Sequence, residues 1–576
     1  MIFRKAVLKI PTKPLFLVIM AYLIIQLLTF RTGIGSEDFR EIVAFKQINA
    51  GFVPFRDFYW CHGVLGIYLW ALFTKFLGSE LILLRLAVIF MGALGIIVVY
   101  NLSKKIMSDN FSLLAAFCSF ALLTFPAYSF NHYLSVMSIV ITLWYVVKFF
   151  SDTKQDNLFM WGVFLTLTFL IRPVPSGIIL AFTSLLVIVL FSLRFGIFIL
   201  LKNIFYLFSF FTIVLTITYF LTEGLFFKSI FILISFVGSF GHNIIFRFPN
   251  TIKLIKDFFH SLNMYTLKDV RTIYNILTFI NLISSHIIYW FIFIFPGIFG
   301  SIILYTTVIK KRLRNIPHIN YLFIFLYLLS FLLFLYFHDA ILVTSYPDLD
   351  GGGRLGLWIG QYLLQPGIIF FSYSLYRFKK RTSRIFLTTV ISCILILSVT
   401  LPKIINLRYM VMKMPIGRMS GIKGIYLTNF DENIFVPSVE YINKESGLPE
   451  YIFVASQFPA FYALTNKKPA LPEDFLVLLI KLSSVASVRK ILYFCSPGYK
   501  PIDEDDADKI ILDRLMKMKP GIVSVDNDLL KYHFKWKDFI MANYHIAKKF
   551  TYKRVITSKD TENNPVITIY LPDSKR

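Results

Sequence analysis

The sequence predicts a polytopic α-helical membrane protein of about eleven transmembrane helices, followed by a small α/β domain. Its 576 residues are 57% hydrophobic and 16% charged, with a mean hydropathy of +0.68, which is too apolar for a soluble protein. Several runs approach the roughly 20 apolar residues that a helix needs to cross a hydrocarbon core. After about residue 402 these runs shorten and charged residues return. We therefore expect a transmembrane domain over 1–401 and an α/β domain over 402–576.

The apolar runs place the predicted spans in the first 401 residues, and the third and fifth of them are short. In chain order they lie near residues 14–30, 81–102, 111–126, 134–150, 158–171, 174–193, 203–221, 286–308, 320–337, 357–376 and 385–401. The first segment has no small-residue cleavage site after it, so we interpret it as an uncleaved span rather than a signal peptide.

Lysine and arginine in the short connections predict the orientation, because cytoplasmic loops retain these residues. Every alternate connection is basic. The predicted inside positions are Arg4, Lys5 and Lys9; Lys104 and Lys105; Lys148 and Lys154; Arg194 and Lys202; Lys310, Lys311, Arg312 and Arg314; and Arg377 through Arg384. This pattern predicts a protein of the cytoplasmic membrane whose N-terminus lies on the cytoplasmic side. It places segments 31–79, 222–285, 338–356 and everything after 402 outside.

The remaining composition excludes several classes of protein. The net charge of +26 lies largely in the basic inner loops, where topology and anionic lipid headgroups account for it, so nucleic acid is not an expected partner. The four cysteines form no CxxC pair and no Cys/His cluster. Neither a disulfide framework nor a zinc site is therefore predicted.

The first outer loop, from Ser36 to Gly78, begins with an acidic pair, Glu37 and Asp38. Apolar residues recur after Ser36 at close to helical spacing, which predicts an amphipathic helix in the membrane interface that ends near Gly51 and Pro54. A second apolar stretch, 64–77, predicts another interfacial helix. Acids at a helix start favour the helix dipole, so capping alone could explain the pair. Their position directly after a span, at the depth of the lipid headgroups, favours a catalytic role for the pair.

Two further outer segments contain candidate phosphate ligands. Segment 222–285 mixes basic residues, Arg247 among them, with Phe and Ile, so these side chains either bind a lipid phosphate or snorkel. Segment 338–356 places three glycines beside Arg354, and its backbone could approach an anion closely. A plain re-entrant turn is the preferred interpretation of this segment, since the GKS/T ending of a P-loop is missing.

The C-terminal region alternates short β-type runs with helical stretches, which predicts an α/β domain. We expect strands near 451–455, 490–494 and 521–525 and helices near 433–444, 474–482, 505–517 and 534–544, with an edge hairpin near 549–557 and 565–571. No catalytic motif is present in it.

The motifs of the first loop and the spans around it resemble those of the GT-C superfamily of integral-membrane glycosyltransferases. This group includes protein O-mannosyltransferases, aminoarabinose transferases and RgtA/B/C/D-like sugar transferases. The similar positions are the acid after span one; Ala44, Ile48 and Gly51; residues 54–59; His62 and Gly63; Phe73, Phe76, Leu77, Gly78, Arg85, Leu86 and Gly92; Tyr100, Lys104 and Lys105; Ile171, Arg172 and Pro173; and residues 461–466.

The resemblance implies transfer of a sugar from a polyprenyl-phosphate carrier to a glycan, lipid or protein acceptor on the outer face, usually with inversion. Such chemistry needs a carboxylate base and cations for the leaving phosphate. The family position falls at Glu37, while aspartate, the more usual residue type there, is at Asp38, which we slightly favour. Asp57 and His62 are further loop candidates, and Arg172, Arg247 and Arg354 are candidate phosphate ligands.

The sequence also departs from the family. Where many relatives have a second acid between spans three and four, this chain has His132, which either contacts the donor or acceptor or is structural. Without that acid, no metal or other cofactor is predicted. A flippase or transporter for lipid-linked oligosaccharides, or an oligosaccharide polymerase or ligase, are the alternative functions.

Overall fold

A computed structural model of the chain describes most of the predicted spans and much of the C-terminal region. The described residues are 13–31, 36–55, 57, 58, 60, 63–123, 130–227, 230, 318–344, 364–377, 415–427, 431–445, 448–454, 460–470, 504–525, 535–551 and 566–573.

The N-terminal part is helical. Its helices are α1 (Lys13–Thr29), α2 (Ser36–Asn49), α3 (Val64–Leu77), α4 (Leu81–Ser103), α5 (Asp109–Leu123), α6 (Phe130–Asp152), α7 (Gln155–Ile171), α8 (Ile178–Ser192), α9 (Ile197–Leu221), α10 (His318–Thr344) and α11 (Leu364–Arg377). All of them except α2 and α3 overlap predicted spans. The predicted spans near 286–308 and 385–401 lie outside the described residues. Helix α10 continues to Thr344, beyond the predicted span end at 337, and apolar residues return at Ile341-Leu342-Val343 after His338 and Asp339.

Within the described part of the chain, four helices are long and apolar enough to cross a membrane. They are Leu81–Ser103, Tyr133–Asp152, Ile178–Phe195 and Ile197–Leu221. Helix α9 lies at the edge of the bundle, since Phe198 and Phe220 are 84% and 73% exposed. Apolar side chains exposed along a helix of this length fit contact with lipid. These helices and the hydropathy support an integral membrane protein, while its orientation stays a prediction.

Polar side chains join neighbouring helices inside the bundle. Thr142 of α6 and Thr168 of α7 are 3.2 Å apart at their hydroxyl oxygens. The Nε1 of Trp161 on α7 donates to Ser184 Oγ of α8 at 3.1 Å. Buried hydroxyls and indoles need such partners, because an unpaired polar group in an apolar interior costs free energy.

The two loop helices form where the hydrophobic spacing predicted them. Helix α2 begins at Ser36, and the chain turns at Gly51, whose φ of +93° is a glycine conformation. Helix α2 is more buried than an amphipathic helix on a membrane surface requires, since Phe39 and Phe45 are fully enclosed. Helix α3 instead leaves apolar residues such as Leu72 and Phe76 exposed. Its pattern fits the interfacial position predicted for it.

The C-terminal region contains a five-stranded sheet with strand order β2-β1-β3-β5-β4. Its elements are α12 (Val436–Lys444), β1 (Tyr451–Val454), α13 (Ala460–Leu464), β2 (Lys468–Pro469), α14 (Glu504–Met518), β3 (Gly521–Val525), α15 (Lys535–Asn543), β4 (Tyr544–Thr551) and β5 (Val566–Pro572). Strands β1, β2 and β3 run parallel, whereas β4 and β5 form an antiparallel pair at one edge.

The sheet agrees with most of the predicted strands. Strand β4 starts at Tyr544, before the predicted start at 549, because it follows α15 without a loop. The predicted helix near 474–482 and strand near 490–494 lie outside the described residues, and the domain boundary at 401/402 stays a prediction.

Candidate functional site at the first outer loop

Helix α2 carries two buried carboxylates on one face. Asp38 is 0% exposed and Glu41 is 2% exposed. Their spacing of three residues places them one above the other on an α-helix. A charged carboxylate is almost never fully buried without partners, so each must be compensated by nearby groups.

The partner of Asp38 is Arg85 of α4. Arg85 Nη2 donates to Asp38 Oδ2 at 2.7 Å, and both side chains are buried. Arg85 Nη1 also donates to the carbonyl oxygen of Phe30 at 2.8 Å. One guanidinium therefore joins the end of α1, the start of α2 and the first turns of α4. A planar fork of donors suits this geometry better than a lysine ammonium would.

Glu41 binds the N-terminus of α6. Its Oε2 accepts hydrogen bonds from the backbone N–H groups of Phe130 at 2.6 Å and Asn131 at 3.3 Å. The first N–H groups of a helix have no partner within the helix, and negative charge there is favoured by the helix dipole. Glu41 thus acts as a cap supplied by another segment, and it ties the first outer loop to the outer end predicted for α6.

Helix α7 ends beside the start of α3, and Arg172 lies at that junction. Pro173 excludes the helical conformation for Arg172, whose φ and ψ are −148° and 86°. The N–H of Gly63 donates to Ile171 O at 3.0 Å, and a Cβ at position 63 would collide with the backbone of Leu170. Arg172 itself is 9% exposed. A buried cation thus lies directly beside the first outer loop.

Of the other predicted site residues, one stabilises a local turn, and the side chains of the rest lie outside the described part of the chain. Asp57 is exposed, and its Oδ2 accepts a hydrogen bond from Val53 N at 2.7 Å, which closes a turn. The backbones of Glu37 and His132 lie in α2 and α6, and their side chains lie outside the description. His62, Arg247 and Arg354 also lie outside the described residues. The structure therefore places Asp38 on the first helix of the first outer loop and Arg172 next to the residue that contacts Gly63 of that loop, and the predicted roles stay predictions.

The sequence reasoning missed Glu41 and gave Arg85 no role. Spacing was the available signal for Glu41, since an acid three residues after Asp38 shares its helix face. Arg85 belongs to a matching motif and is a charged residue near the start of a span, which favours a functional or pairing role. Among the residues that the structure describes, no group of three or more His, Cys, Asp or Glu could hold a metal ion.

Lys46, at the end of α2, contacts the C-terminal region. Its Nζ donates to Ala463 O at 2.5 Å. Desolvation at this contact lowers the pKa of Lys46, and the nearby carboxylate of Glu80 acts in the opposite direction. Residues 461–464, part of the motif that resembles the outer domain of the family, are thus where the C-terminal region contacts α2.

The family comparison supports the resemblance to integral-membrane glycosyltransferases of the GT-C type. Residues 61–221 match the family model of dolichyl-phosphate-mannose-protein mannosyltransferases. The match runs from the first outer loop to the end of α9, just over a quarter of the chain, and it confirms the GT-C resemblance that the sequence motifs predicted.

Solved structures of two GT-C enzymes resemble this chain at low identity. The apo oligosaccharyltransferase of Archaeoglobus fulgidus is 11% identical with a TM-score of 0.46, over 89% of this chain and 69% of that chain. ArnT from Cupriavidus metallidurans bound to undecaprenyl phosphate is 12% identical with a TM-score of 0.44, over 96% of this chain and 97% of that chain. At such TM-scores, neither similarity supports an inference by itself. No characterised protein sequence matches the chain significantly.

Proposed function

We propose that this protein transfers a sugar from a polyprenyl-phosphate carrier to a glycan, lipid or protein acceptor on the outer face of the cytoplasmic membrane, with inversion at the anomeric carbon. The observation that carries the proposal is the acid-bearing start of α2. It follows the first predicted span directly and is fixed by the buried ion pair of Asp38 with Arg85. The family match over residues 61–221 supports the same reaction class.

The reaction needs a carboxylate that accepts the proton of the acceptor hydroxyl while its oxygen attacks the anomeric carbon. The ion pair now favours Glu37 over Asp38 for this role, reversing the slight preference that the resemblance gave. Protonating Asp38 would remove the negative charge from its buried ion pair with Arg85, which is costly. Asp38 is then a positioning residue that fixes the helix start, and Glu37, the preceding position on α2, is the base.

Cationic groups must neutralise the phosphate that leaves with the carrier lipid. Arg172 is the described candidate, because it lies beside the first outer loop and is almost fully buried. A guanidinium can make two parallel hydrogen bonds to phosphate oxygens. Arg247, Arg354 and His132 remain proposed contacts to donor or acceptor, and Asp57 is proposed to shape the turn that follows α2.

The decisive experiment measures sugar transfer in membranes that contain the wild-type protein, Glu37→Gln or Asp38→Asn. The probes are polyprenyl phosphates carrying radiolabelled mannose, glucose or galactose, and the readout is label in membrane glycoconjugates. We expect Glu37→Gln to fold normally and to lose about a hundredfold or more in kcat, the range of general-base effects. Asp38→Asn should instead lower the thermal stability of the purified protein, because it removes the charge of one member of a buried ion pair.

Three results would contradict parts of this proposal. Full transfer activity in both variants would end the proposal that either residue is the base. A normally stable Asp38→Asn protein without activity, beside an active Glu37→Gln protein, would return the role of base to Asp38. A product with retained anomeric configuration would contradict the inverting mechanism.

A further inference from the structure

The chain between residues 415 and 427 folds back on itself, and we call this segment the 415–427 hairpin. Gly417 N donates to Ile425 O at 2.8 Å, and Gly424 N donates to Gly417 O at 2.9 Å. Gly421 and Gly424 have φ values of +89° and +83°, which side chains with a Cβ rarely adopt. The hairpin is therefore closed by its own hydrogen bonds and needs glycine at its turns.

The hairpin binds the start of the first outer loop through Arg31. Arg31 Nε donates to Gly424 O at 2.6 Å, and the N–H of Tyr426 donates to Arg31 O at 2.7 Å. The guanidinium carbon lies 5.1 Å from the centre of the Tyr426 ring, a distance at which a cation is attracted to an aromatic face. Three contacts of different kinds thus converge on a residue two positions after the end of α1.

The same hairpin binds the end of that loop through Glu80, the N-cap residue of α4. The Glu80 carboxylate accepts hydrogen bonds from Ser420 Oγ at 3.0 Å and Gly421 N at 2.9 Å. In the opposite direction, Leu81 N donates to Gly421 O at 3.1 Å. Hydrogen bonds to a charged acceptor are about twice as strong as those between neutral groups.

These contacts lie next to the ion pair that fixes α2. Arg31 follows Phe30, whose carbonyl oxygen accepts the hydrogen bond from Arg85, and Arg85 holds Asp38. A displacement of Arg31 would therefore move an acceptor of the guanidinium that orients the start of α2. The contact of Lys46 Nζ with Ala463 O holds the other end of α2 to the C-terminal region.

We propose that the 415–427 hairpin is a clamp that joins the two ends of the first outer loop, with Arg31 and Glu80 as positioning residues for the transfer reaction. The functional part of this inference rests on the proposed function. In this view the C-terminal region takes part in positioning the first outer loop. It completes the geometry of the membrane-embedded half from outside, since the loop is held at its start, its end and α2.

The test combines hydrogen exchange with sugar transfer in the full-length protein. Glu80→Ala removes both acceptor oxygens, while Glu80→Gln keeps one neutral acceptor of the same shape. We expect the backbone amides of α2 to exchange about tenfold faster or more in Glu80→Ala and to an intermediate degree in Glu80→Gln. The kcat should fall in the same order while the KM for the probe polyprenyl-phosphate-mannose changes less.

The matched control is Glu450→Ala, which removes an exposed carboxylate that pairs with Lys468 at 2.6 Å elsewhere in the C-terminal region. It should leave both readouts unchanged. Unchanged exchange in Glu80→Ala would overturn the clamp. Faster exchange with undiminished transfer would overturn its positioning role. If the wild-type protein transferred none of the probe sugars, the proposed function would fail, whereas the exchange experiment would still decide whether the clamp exists.

Discussion

At the scale of single residues, the two carboxylates of α2 hold different partners. Asp38 binds a guanidinium on α4, and Glu41 binds the first backbone N–H groups of α6. Both partners are donors supplied from elsewhere in the bundle, so burial of these acids is compensated. Helix α2 is consequently attached to the bundle at two points on one face. This attachment gives the neighbouring position 37 a fixed place relative to α4 and α6.

Glu41 gives a prediction that separates capping from catalysis. Glu41→Ala leaves the buried N–H of Phe130 without its acceptor, so we expect a loss of about 1–3 kcal/mol in the free energy of unfolding. Glu41→Gln keeps an acceptor oxygen and should lose less. Thermal unfolding of the purified protein measures both. Glu440→Ala, on the exposed face of α12, is the control, and equal stability of Glu41→Ala and wild type would contradict the cap.

The two acids could be found from the sequence, but their partners could not be predicted from it. Asp38 and Arg85 are 47 residues apart, and Glu41 and Phe130 are 89 apart. Local spacing predicts which residues share a helix face and gives no information about what faces them across the bundle. The preference for Asp38 rested on residue type, whereas the proposal that Glu37 is the base rests on the ion pair of Asp38 with Arg85.

At the scale of elements, the close approach of α3 to the end of α7 depends on a glycine. Gly63 donates its N–H to Ile171 O, and the space for a Cβ is occupied by backbone atoms of Leu170 and Ile171. Backbone atoms cannot rotate away as a side chain can, so any larger residue must separate the two helices. Arg172, a candidate phosphate ligand, is the residue after Ile171. The packing of α3 against the end of α7 therefore affects the position of Arg172.

Gly63→Ala tests this packing. We expect it to cost about 1–3 kcal/mol in stability, as overpacked sites do, and to weaken donor binding by moving Arg172. Thermal unfolding and the KM for the polyprenyl-phosphate sugar are the measurements. Leu72→Ala, on the exposed side of α3, serves as the comparison because its side chain is 53% exposed. A Gly63→Ala protein as stable as wild type would contradict the close packing of residue 63 against the backbone of Leu170 and Ile171.

Helices and strands were predictable where a single physical signal dominated. Long apolar runs identified the bundle helices, and hydrophobic spacing identified α2 and α3. The edge pair β4 and β5 followed from its alternating pattern. The start of β4 was misplaced because α15 passes into the strand at Tyr544 without a turn residue, and turn residues are the usual boundary signal. The burial of α2 was underestimated, because the aromatic rings of Trp70 and Phe130 that pack on Phe45 come from other helices and leave no trace in the local sequence.

At the scale of the whole molecule, the charge pattern predicts that α6 and α7 are joined inside the cell and that the C-terminal region lies outside. Single cysteines at Lys154 and Lys444, in a background with the four native cysteines changed to serine, test this topology. Both positions are exposed. A membrane-impermeant thiol reagent should label Lys444→Cys in intact cells and Lys154→Cys only after permeabilisation. The reverse pattern would invert the orientation and place the transfer reaction on the inner face.

The contact between Arg31 and Gly424 also sets an order for biogenesis. These residues are 393 positions apart, so the start of the first outer loop meets its partner only after most of the chain has been synthesised. At about 5–20 residues per second, that interval is on the order of 20–80 s during translation. Under the proposed function, we expect the protein to remain inactive while its membrane helices are being inserted. The proposed clamp then makes completion of the C-terminal region the step that permits transfer, and we expect a prematurely terminated chain not to consume the carrier lipid.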